Sequence, residues 1–444
     1  MKIENIVKTI GKSYAIEKEL YEHFNVKRGL RNRDGSGVLV GLTRIGSVHG
    51  YIKDEQEVVP VEGKLFYRGI DVEDLVEDIK NEERMGFEET IYLLLYGTLP
   101  NKKELKEFNN FLDNFRSLPY GFTENMVLKS PSGNIMNKLA RSVLALYSYD
   151  DNPDDLSLFS TLRQCIELIA RFPILISYGF QAKSHYFDNG SLFLHNPKKG
   201  LGTAQNFLRL IRPDKKFTEL EAKTLDISLI IHAEHGGGNN SAFTTHVVTS
   251  SNTDTYSAIA AAVGSLKGPR HGGASIRVIN MIDEIKENVK NWEDEKEIRE
   301  YLLKILNKEA FDKSGLIYGI GHAVYTLSDP RAVILKKYAY DLAKEKGREK
   351  EFVLYDTIEK LAPKLFQEVK QTDKKLCANV DFYSGFVYSM LNLPVDLYTP
   401  IFAMARVAGW CAHRIEELIN GGRIIRPAYK NVEKRNDYTP LKER

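Results

Sequence analysis

Apolar residues recur at helical spacing along most of this chain, and this periodicity limits the folds that the chain can adopt. In the segment 102–115, Leu105, Phe108, Leu112 and Phe115 fall three or four residues apart, as on one face of an α-helix. Similar runs predict further helices at about 134–149, 157–181, 203–211, 218–234, 253–266, 273–289, 294–308, 330–346, 351–370, 384–391 and 399–420. Because strand-like alternation is nearly absent after residue 70, we predict a mainly α fold of many packed helices.

The first eighty residues have a different pattern. A basic amphipathic stretch at about 2–28 leads to the turn sequence RNRDGSG, which is rich in Gly, Asp and Asn. The β-prone runs VLVGLT, GYIK and KLFYRGI follow. We therefore predict a few short strands near the N-terminus and no large sheet.

Charge and cysteine content exclude several classes of protein. Lys and Arg number 62 against 60 Asp and Glu, so the net charge of +2 gives no field that would attract nucleic acid or an acidic membrane. Three widely spaced cysteines, Cys165, Cys377 and Cys411, argue against a disulfide framework and fit a reducing compartment. With neither a signal-peptide pattern nor a run of about eighteen apolar residues, we expect a cytoplasmic protein. A chain of 444 residues is long enough for two domains.

Four short segments place ionisable side chains beside glycines. They are HAEHGGGNNSAF (232–243), GPRHGG (268–273), GIGHAVYTLSDPR (319–331) and NVDFYSG (379–385). Glycine permits sharp turns and a close approach of the backbone. Between them the segments offer histidines, an arginine and an aspartate, which suit removal of a weakly acidic proton from carbon and stabilisation of the resulting oxyanion.

Each segment by itself allows a second interpretation. A metal site is suggested by His232, Glu234, His235 and His246, but the HExxH spacing is absent, so we predict no metal. We instead expect His235 at the end of a helix stopped by three glycines, at a mobile corner where the backbone is exposed. His271 allows two interpretations. Either the positive end of the helix that follows lowers its pKa and keeps the imidazole neutral, or it is a solvated loop residue. Asp381 is a partly desolvated base, the N-cap of a helix that begins at 384, or both.

The third segment contains two candidate residues. His322 follows a Gly-x-Gly turn, and Arg331 comes directly after Asp-Pro. A proline in the first turn of a helix would fix the local geometry and help Arg331 present its two-pronged guanidinium to a carboxylate. The Gly-x-Gly turn also resembles a dinucleotide loop, but the third glycine is missing.

The four segments, in this order, resemble the signature of the citrate synthase family. Other stretches add to the likeness: GLTRI, LFYRGI and FEETIYLLLYGTLP resemble the N-terminal half of that family. PIFAMARVAGWCAHRIEEL and RIIRP resemble its C-terminal helix and arginine motif. The resemblance runs from about residue 38 to residue 428.

The resemblance implies an acyltransferase of the citrate (Si)-synthase type, which condenses acetyl-CoA with oxaloacetate and hydrolyses citryl-CoA to citrate and CoA. By motif match, Asp381 would take the proton from the acetyl methyl group. His271 would hydrogen-bond the thioester oxygen, and His322 would hold and protonate the keto oxygen of oxaloacetate.

The resemblance also implies which residues bind the substrates. The oxaloacetate carboxylates would be held by His235, Arg331, Arg406 and Arg426, the last supplied by the other subunit of a dimer. The loop of Ile317, Gly319 and Gly321 would lie at the CoA end of the site, with its glycine amides available to the ligand.

Two domains and a homodimer with shared active sites are further implications. The large domain would comprise 1–270 and 381–444, and the small domain 271–380 would close when oxaloacetate binds. The CoA thioester would be a co-substrate, with no permanently bound cofactor, no nucleic acid and no membrane partner.

Three alternatives stay open on the sequence. A 2-methylcitrate synthase would use propionyl-CoA, and one methylene is worth only about 1–3 kcal/mol of discrimination. A metal-dependent hydrolase would use His232, His235 and His246. A non-catalytic helical scaffold is the third. The segment 181–202 and the first thirty residues have no assigned role.

Overall fold

The computed structural model describes residues 3, 7, 10, 13–32, 34–54 and 57–444. The chain forms two compact units, Met1–Leu42 and Thr43–Arg444. In the first unit, helix α1 spans Lys18–His23 and a 3₁₀ turn spans Arg28–Leu30. The predicted amphipathic stretch at 2–28 lies partly outside the described residues. Every residue with a predicted role in a site belongs to the second unit.

Fifteen further α-helices are described in the second unit. They are α2 (Val72–Asn81), α3 (Phe87–Tyr96), α4 (Lys102–Phe115), α5 (Ile135–Leu146), α6 (Leu158–Phe187), α7 (Thr203–Ile211), α8 (Glu219–His232), α9 (Asn240–Thr249), α10 (Thr255–Lys267), α11 (Ala274–Asn288), α12 (Glu295–Leu306), α13 (Pro330–Lys346), α14 (Glu349–Lys370), α15 (Val380–Met390) and α16 (Tyr398–Ile419). A π-helical turn spans Thr123–Leu128, and short 3₁₀ turns span Tyr147–Tyr149, Val395–Leu397 and Leu441–Glu443. The prediction of a mainly α fold is confirmed.

One small antiparallel sheet precedes the helices. Its strands are β1 (Gly46–Asp54), β2 (Glu57–Tyr67) and β3 (Ile70–Asp71), in the order β1-β2-β3. Gly46 pairs with Tyr67 at one end of the β1–β2 hairpin, and the register shifts between His49 and Tyr51. The predicted strands at GYIK and KLFYRGI are therefore confirmed.

Two parts of the N-terminal prediction are wrong. The run VLVGLT forms no strand, and Leu39 and Leu42 are exposed. A β-prone run needs a partner strand to pack against, and β1 pairs with β2 instead. The amphipathic helix α2 was not predicted, although its apolar residues at 72, 75, 76 and 79 have helical spacing and are buried.

The core is built around the longest helices. In α16 an unbroken run from Ala403 to Ile415 is buried. Helix α6 is long and apolar enough to cross a membrane by length and composition, but 89% of its most apolar window is buried inside the protein. It therefore has the environment of a core helix.

Helix α13 shows how local sequence positions a site residue. Asp329 is its N-cap and accepts a hydrogen bond from the backbone N–H of Arg331, while Pro330 occupies the first helical position. Gly347 ends the helix in the left-handed conformation at φ 65°. Arg331 is consequently fixed in the first turn of a well-defined helix.

Candidate active site

Two buried arginines form the charged centre of the site. Arg331, 4% exposed, donates from Nε and Nη2 to the two carboxylate oxygens of Asp329 at 3.0 and 2.7 Å. Arg406, 1% exposed, lies on α16 and donates from Nε to the backbone carbonyl of His232 at 2.6 Å. Both arginines lower the pKa of Asp381, so the three charged side chains lie close enough to interact electrostatically.

The outer nitrogens of Arg406 are the most informative atoms in the site. Nη1 and Nη2 are buried, and within the part of the chain that the structure describes neither atom has a hydrogen-bond partner. Burial lowers the pKa of Arg406 to about 10, so the side chain still carries its charge at neutral pH. Because an unpaired buried cation is costly, this geometry suits an anionic ligand whose carboxylate accepts from both nitrogens.

Three aromatic rings pack beside Arg331. The His235 ring lies edge-on to His322 and Tyr325, with centroids 5.2 and 5.7 Å away, and the His322 ring stacks on Tyr325 at 4.7 Å. Nη2 of Arg331 is 3.5 Å from Nε2 of His322. The third segment of the sequence therefore brings its histidine and its arginine to the same place.

Backbone contacts determine the tautomer of His322. Its Nδ1 accepts hydrogen bonds from the backbone N–H groups of Val324 and Tyr325, each at 3.1 Å. An accepting Nδ1 carries a lone pair, so in the neutral ring the proton is on Nε2. Nε2–H and the guanidinium of Arg331 are then two neighbouring donors, and an oxygen atom next to both would accept from each.

His235 differs from the expectation. Helix α8 ends at His232 rather than at His235, and the His235 side chain is buried. Burial, followed by the charges of Arg331 and His322, holds its pKa well below the usual range, so the ring is neutral. Its Nε2 is buried, no residue that the structure describes hydrogen-bonds to it, and a ligand could do so.

Asp381 lies in the first turn of α15. The N-cap of this helix is Asn379, whose side chain accepts from the backbone N–H of Asp381 at 3.0 Å, so the predicted cap role of Asp381 and the predicted helix start at 384 are wrong. Burial raises the pKa of Asp381 to about 6; Asp329 also raises it, and Arg331 and Arg406 lower it. A carboxylate with this pKa is a stronger base than an exposed one and is still ionised at neutral pH.

His271 lies in the turn before α11. Its pKa is lowered to about 4, first by burial and then by the charge of Arg406, rather than by the helix end that the sequence suggested. Its Nε2 is 3.1 Å from the hydroxyl of Ser241, which also accepts from Nε1–H of Trp410 at 3.0 Å. The imidazole is therefore neutral and fixed in orientation.

The glycine turn at 317–321 is pinned to the start of α15. The N–H of Gly321 donates to the carbonyl of Cys377 at 2.7 Å, and the carbonyl of Gly319 accepts from the N–H of Asn379 at 2.8 Å. Gly319 and Gly321 have φ values of 82° and 101°, which favour glycine. Ile317 is buried. The amide of Gly321 is therefore not the free donor that the sequence suggested, and the turn instead helps to position Asp381.

Arg426 is not brought to the other site residues within this chain. It is exposed, in the segment that follows α16. The neighbouring Ile425 is anchored by its N–H, which donates to the hydroxyl of Ser250 at 3.0 Å.

The histidines proposed for a metal-dependent hydrolase do not converge. The His232 ring packs on Phe402, with centroids 4.5 Å apart, while His246 contacts His413. Among the described residues, the group that could hold a metal ion contains His246 without the other two.

Two residues with clear roles in the site were not singled out from the sequence. Asp329 is 1% exposed and binds Arg331, and it also accepts from the N–H of Val380 at 3.2 Å. Its position immediately before Pro330 was the signal that could have identified it. Ser241 had no such signal, because its contact with His271 joins residues thirty positions apart.

The comparisons with known proteins cover most of the chain. The family model described as "Citrate synthase, C-terminal domain" matches residues 34–428. A citrate synthase from Synechocystis sp. is 34% identical, over 92% of this chain and 93% of that protein. A 2-methylcitrate synthase from Corynebacterium glutamicum is 32% identical, over 89% of this chain and 97% of that protein.

Solved structures resemble the whole fold. The chain matches the crystal structure of citrate synthase from Pyrobaculum aerophilum with a TM-score of 0.74 and 30% identity, over 92% of this chain and 94% of that one. It also matches the citrate synthase of Thermoplasma acidophilum, in ternary complex with carboxymethyl coenzyme A and oxaloacetate, with a TM-score of 0.77 and 26% identity. That match covers 94% of this chain and 99% of the other.

Proposed function

Because this chain belongs to the citrate synthase family, we propose that it condenses acetyl-CoA with oxaloacetate and hydrolyses the resulting citryl-CoA to citrate and CoA. The observation that carries the proposal is the grouping of Asp381, a base with a raised pKa, with two buried arginines. Deprotonation of a thioester at its α-carbon needs such a base, and a dicarboxylate needs such cations. The relative in ternary complex with oxaloacetate and a CoA analogue is consistent with these substrates.

Oxaloacetate is held by its two carboxylates and its keto oxygen. Nη1 and Nη2 of Arg406 bind one carboxylate in a bidentate manner, because these buried atoms have no hydrogen-bond partner among the described residues. Arg331 and His235, which lie beside Arg406, also bind the oxaloacetate carboxylates. The Nε2–H of His322 donates to the keto oxygen. A neutral His322 polarises this carbonyl and protonates it as the new C–C bond forms.

The second substrate is activated by Asp381 and His271 acting together. Asp381 takes a proton from the methyl group of acetyl-CoA. The neutral His271, oriented by the contact of its Nε2 with the Ser241 hydroxyl, hydrogen-bonds the thioester oxygen as negative charge develops there. Neither group is sufficient alone, because the carbon acid is weak and its enolate needs a donor.

Closure of a small domain at 271–380 over the large domain completes the site and excludes water once oxaloacetate is bound. The turn of Ile317, Gly319 and Gly321 lies in this small domain and faces the CoA end. The active unit is a homodimer, and the exposed Arg426 binds oxaloacetate in the partner's site. The protein works in the cytoplasm, with no permanently bound cofactor and no nucleic-acid or membrane partner.

A 2-methylcitrate synthase is the second candidate, because relatives at similar identity carry either name. Comparison of kcat/KM for acetyl-CoA and propionyl-CoA, each with saturating oxaloacetate, decides between them. We expect the higher value with acetyl-CoA. A higher value with propionyl-CoA would assign the chain to the second activity, and thiol release with neither donor would refute both.

A further inference from the structure

Tyr325 lies against the side chains that are proposed to bind oxaloacetate. Its ring stacks on His322, with centroids 4.7 Å apart and planes 25° from parallel, and meets His235 edge-on at 5.7 Å. The guanidinium carbon of Arg331 lies 5.7 Å from the centre of the same ring. One tyrosine is therefore in contact with three residues of the proposed oxaloacetate site.

The hydroxyl of Tyr325 is buried and unpartnered. The residue is 1% exposed, and none of the residues that the structure describes hydrogen-bonds to this oxygen. Buried hydroxyls in folded proteins nearly always have a partner, because removal from water is costly when no hydrogen bond replaces the lost ones. This hydroxyl therefore indicates a partner that arrives with a ligand.

Other buried polar atoms of this region lack partners too. Among the described residues none bonds to Nε2 of His235, to Oγ1 of Thr326 or to the outer nitrogens of Arg406. Hydroxyl, imidazole and guanidinium groups can all donate hydrogen bonds. Oxaloacetate, with two carboxylates and a keto oxygen, offers only acceptors. The unpartnered hydroxyl thus belongs to a set of groups that this ligand complements.

The β1–β2 hairpin holds Tyr325 in place. A Cβ atom added at Gly63 would lie 2.7 Å from Cδ1 of Tyr325 and 2.1 Å from the carbonyl oxygen of Ser328. One added at Gly50 would lie 2.6 Å from the carbonyl oxygen of Val324. The N–H of Gly63 also donates to the hydroxyl of Ser328 at 3.1 Å. The sheet thus packs on this segment too closely for a side chain at either glycine, and it leaves the tyrosine ring little room to move.

We propose that Tyr325 is a further oxaloacetate-binding residue, whose hydroxyl donates to a carboxylate of the ligand and whose ring positions His322. The inference rests on the proposed function, because it takes oxaloacetate as the ligand. A neutral donor adds a directional hydrogen bond beside Arg331 without burying a further charge. The stacked ring limits rotation of the His322 imidazole, whose Nδ1 already accepts from the N–H of Tyr325 at 3.1 Å.

Tyr325→Phe tests the hydroxyl alone, because Phe keeps the ring and its stack on His322. Calorimetric titration of the full-length protein with oxaloacetate, in the absence of acyl-CoA, should show a Kd raised about 10–100-fold, as expected for the loss of a hydrogen bond to a charged group. The KM for oxaloacetate should rise by a similar factor while kcat stays near the wild-type value, because the bond is made equally in the ground state and the transition state. The KM for acetyl-CoA at saturating oxaloacetate should not change.

Two further variants separate the ring from the hydroxyl and from general effects of a lost buried hydroxyl. Tyr325→Leu removes the ring as well, so it should lower kcat in addition, because His322 loses its stacking partner. Tyr355→Phe is the matched control. Tyr355 on α14 is fully buried, its hydroxyl has no described partner, and its ring stacks on Phe386 at 4.5 Å. This variant should bind oxaloacetate as the wild type does.

The outcomes distinguish this assignment from the proposed function. If the wild type binds oxaloacetate and a folded Tyr325→Phe variant binds it with unchanged affinity, the assignment is overturned and the proposed function stands. An equal loss of affinity in Tyr355→Phe would overturn the assignment too, because the effect would not be specific to Tyr325. A wild type that binds no oxaloacetate would refute the proposed function together with this inference.

Discussion

At the scale of single residues, burial sets the chemistry of the active site. Burial raises the pKa of Asp381 to about 6 and lowers the pKa of His271 to about 4. At neutral pH this produces an ionised carboxylate and a neutral imidazole, which is the combination of base and hydrogen-bond donor that enolisation requires. Arg331 and Arg406 moderate the shift of Asp381 and keep it ionised.

The pH dependence of kcat/KM should follow the ionisation of Asp381. The base is active when ionised, so activity is present above its pKa and is lost as the pH falls through about 6. Below that value we expect kcat/KM for acetyl-CoA to fall about tenfold per pH unit. His271 contributes nothing in this range, because it stays neutral down to about pH 4. A profile that stays flat to pH 5 in stable protein would contradict the assignment.

The sequence identified most of the residues that converge, but not their environments. His322, Arg331 and Asp381 were recognisable because each lies beside a glycine, proline or aromatic residue in a short motif. Burial depends on the packing of distant helices, so a short motif did not predict that His235 is enclosed. Ser241 was missed for the same reason, since its partner His271 is brought to it only by the fold.

At the scale of secondary-structure elements, Asp329 connects two helices that carry active-site residues. It caps α13, pairs with Arg331, and accepts from the N–H of Val380 at the start of α15. Asp381 follows Val380 directly. One fully buried carboxylate therefore fixes the positions of Arg331, the proposed substrate-binding arginine, and of Asp381, the proposed base, relative to each other.

Replacement of Asp329 by Asn should destabilise the protein strongly. The change preserves size and capping ability but removes the negative charge that pairs with buried Arg331, and removal of one partner of a buried pair costs about 3–5 kcal/mol. Urea unfolding monitored by circular dichroism measures the loss. Asp294→Asn is the control: Asp294 caps α12 at an exposed position, where Asn caps equally well, so a change within about 0.5 kcal/mol is expected. If the two substitutions lowered the free energy of unfolding equally, the stabilising role of the Asp329–Arg331 pair would be contradicted.

Helix positions were predictable where periodicity was strong. The predicted helices at 203–211 and 330–346 have the observed bounds. The end of α8 and the start of α15 were displaced by three and four residues, because capping depends on particular side-chain contacts such as Asn379 with the N–H of Asp381. The strand predicted at VLVGLT failed because strand formation needs a partner that local sequence does not reveal.

At the scale of the whole molecule, the isolated chain contains an incomplete set of the predicted oxaloacetate ligands. His235, Arg331 and Arg406 belong to the buried site, whereas Arg426 is exposed on the segment after α16. This arrangement is the one expected if the segment reaches the site of a second subunit. Division into a small domain at 271–380 and a large domain likewise remains a prediction.

Complementation tests the shared site. Asp381→Asn and Arg426→Ala should each be nearly inactive alone. In a mixed dimer one site combines intact Asp381 from one chain with intact Arg426 from the other, while the second site carries both defects. Random exchange makes half of the dimers mixed, so activity should recover to about a quarter of wild type for a C2 dimer. Failure to recover after verified subunit exchange would place Arg426 in its own chain's site or outside the site.

The most direct measurement of the proposed reaction is thiol release from acetyl-CoA, dependent on oxaloacetate, by the wild type and by Asp381→Asn. The wild type should release CoA and form citrate. Asn is nearly the size of Asp and cannot act as the base, so turnover should fall by at least about 10²–10⁴-fold in a protein that still folds and binds oxaloacetate. Asp373→Asn, at an exposed position before α15, should retain full activity. A folded Asp381→Asn variant with near-normal turnover would contradict the mechanism, and a wild type without oxaloacetate-dependent release would contradict the function itself.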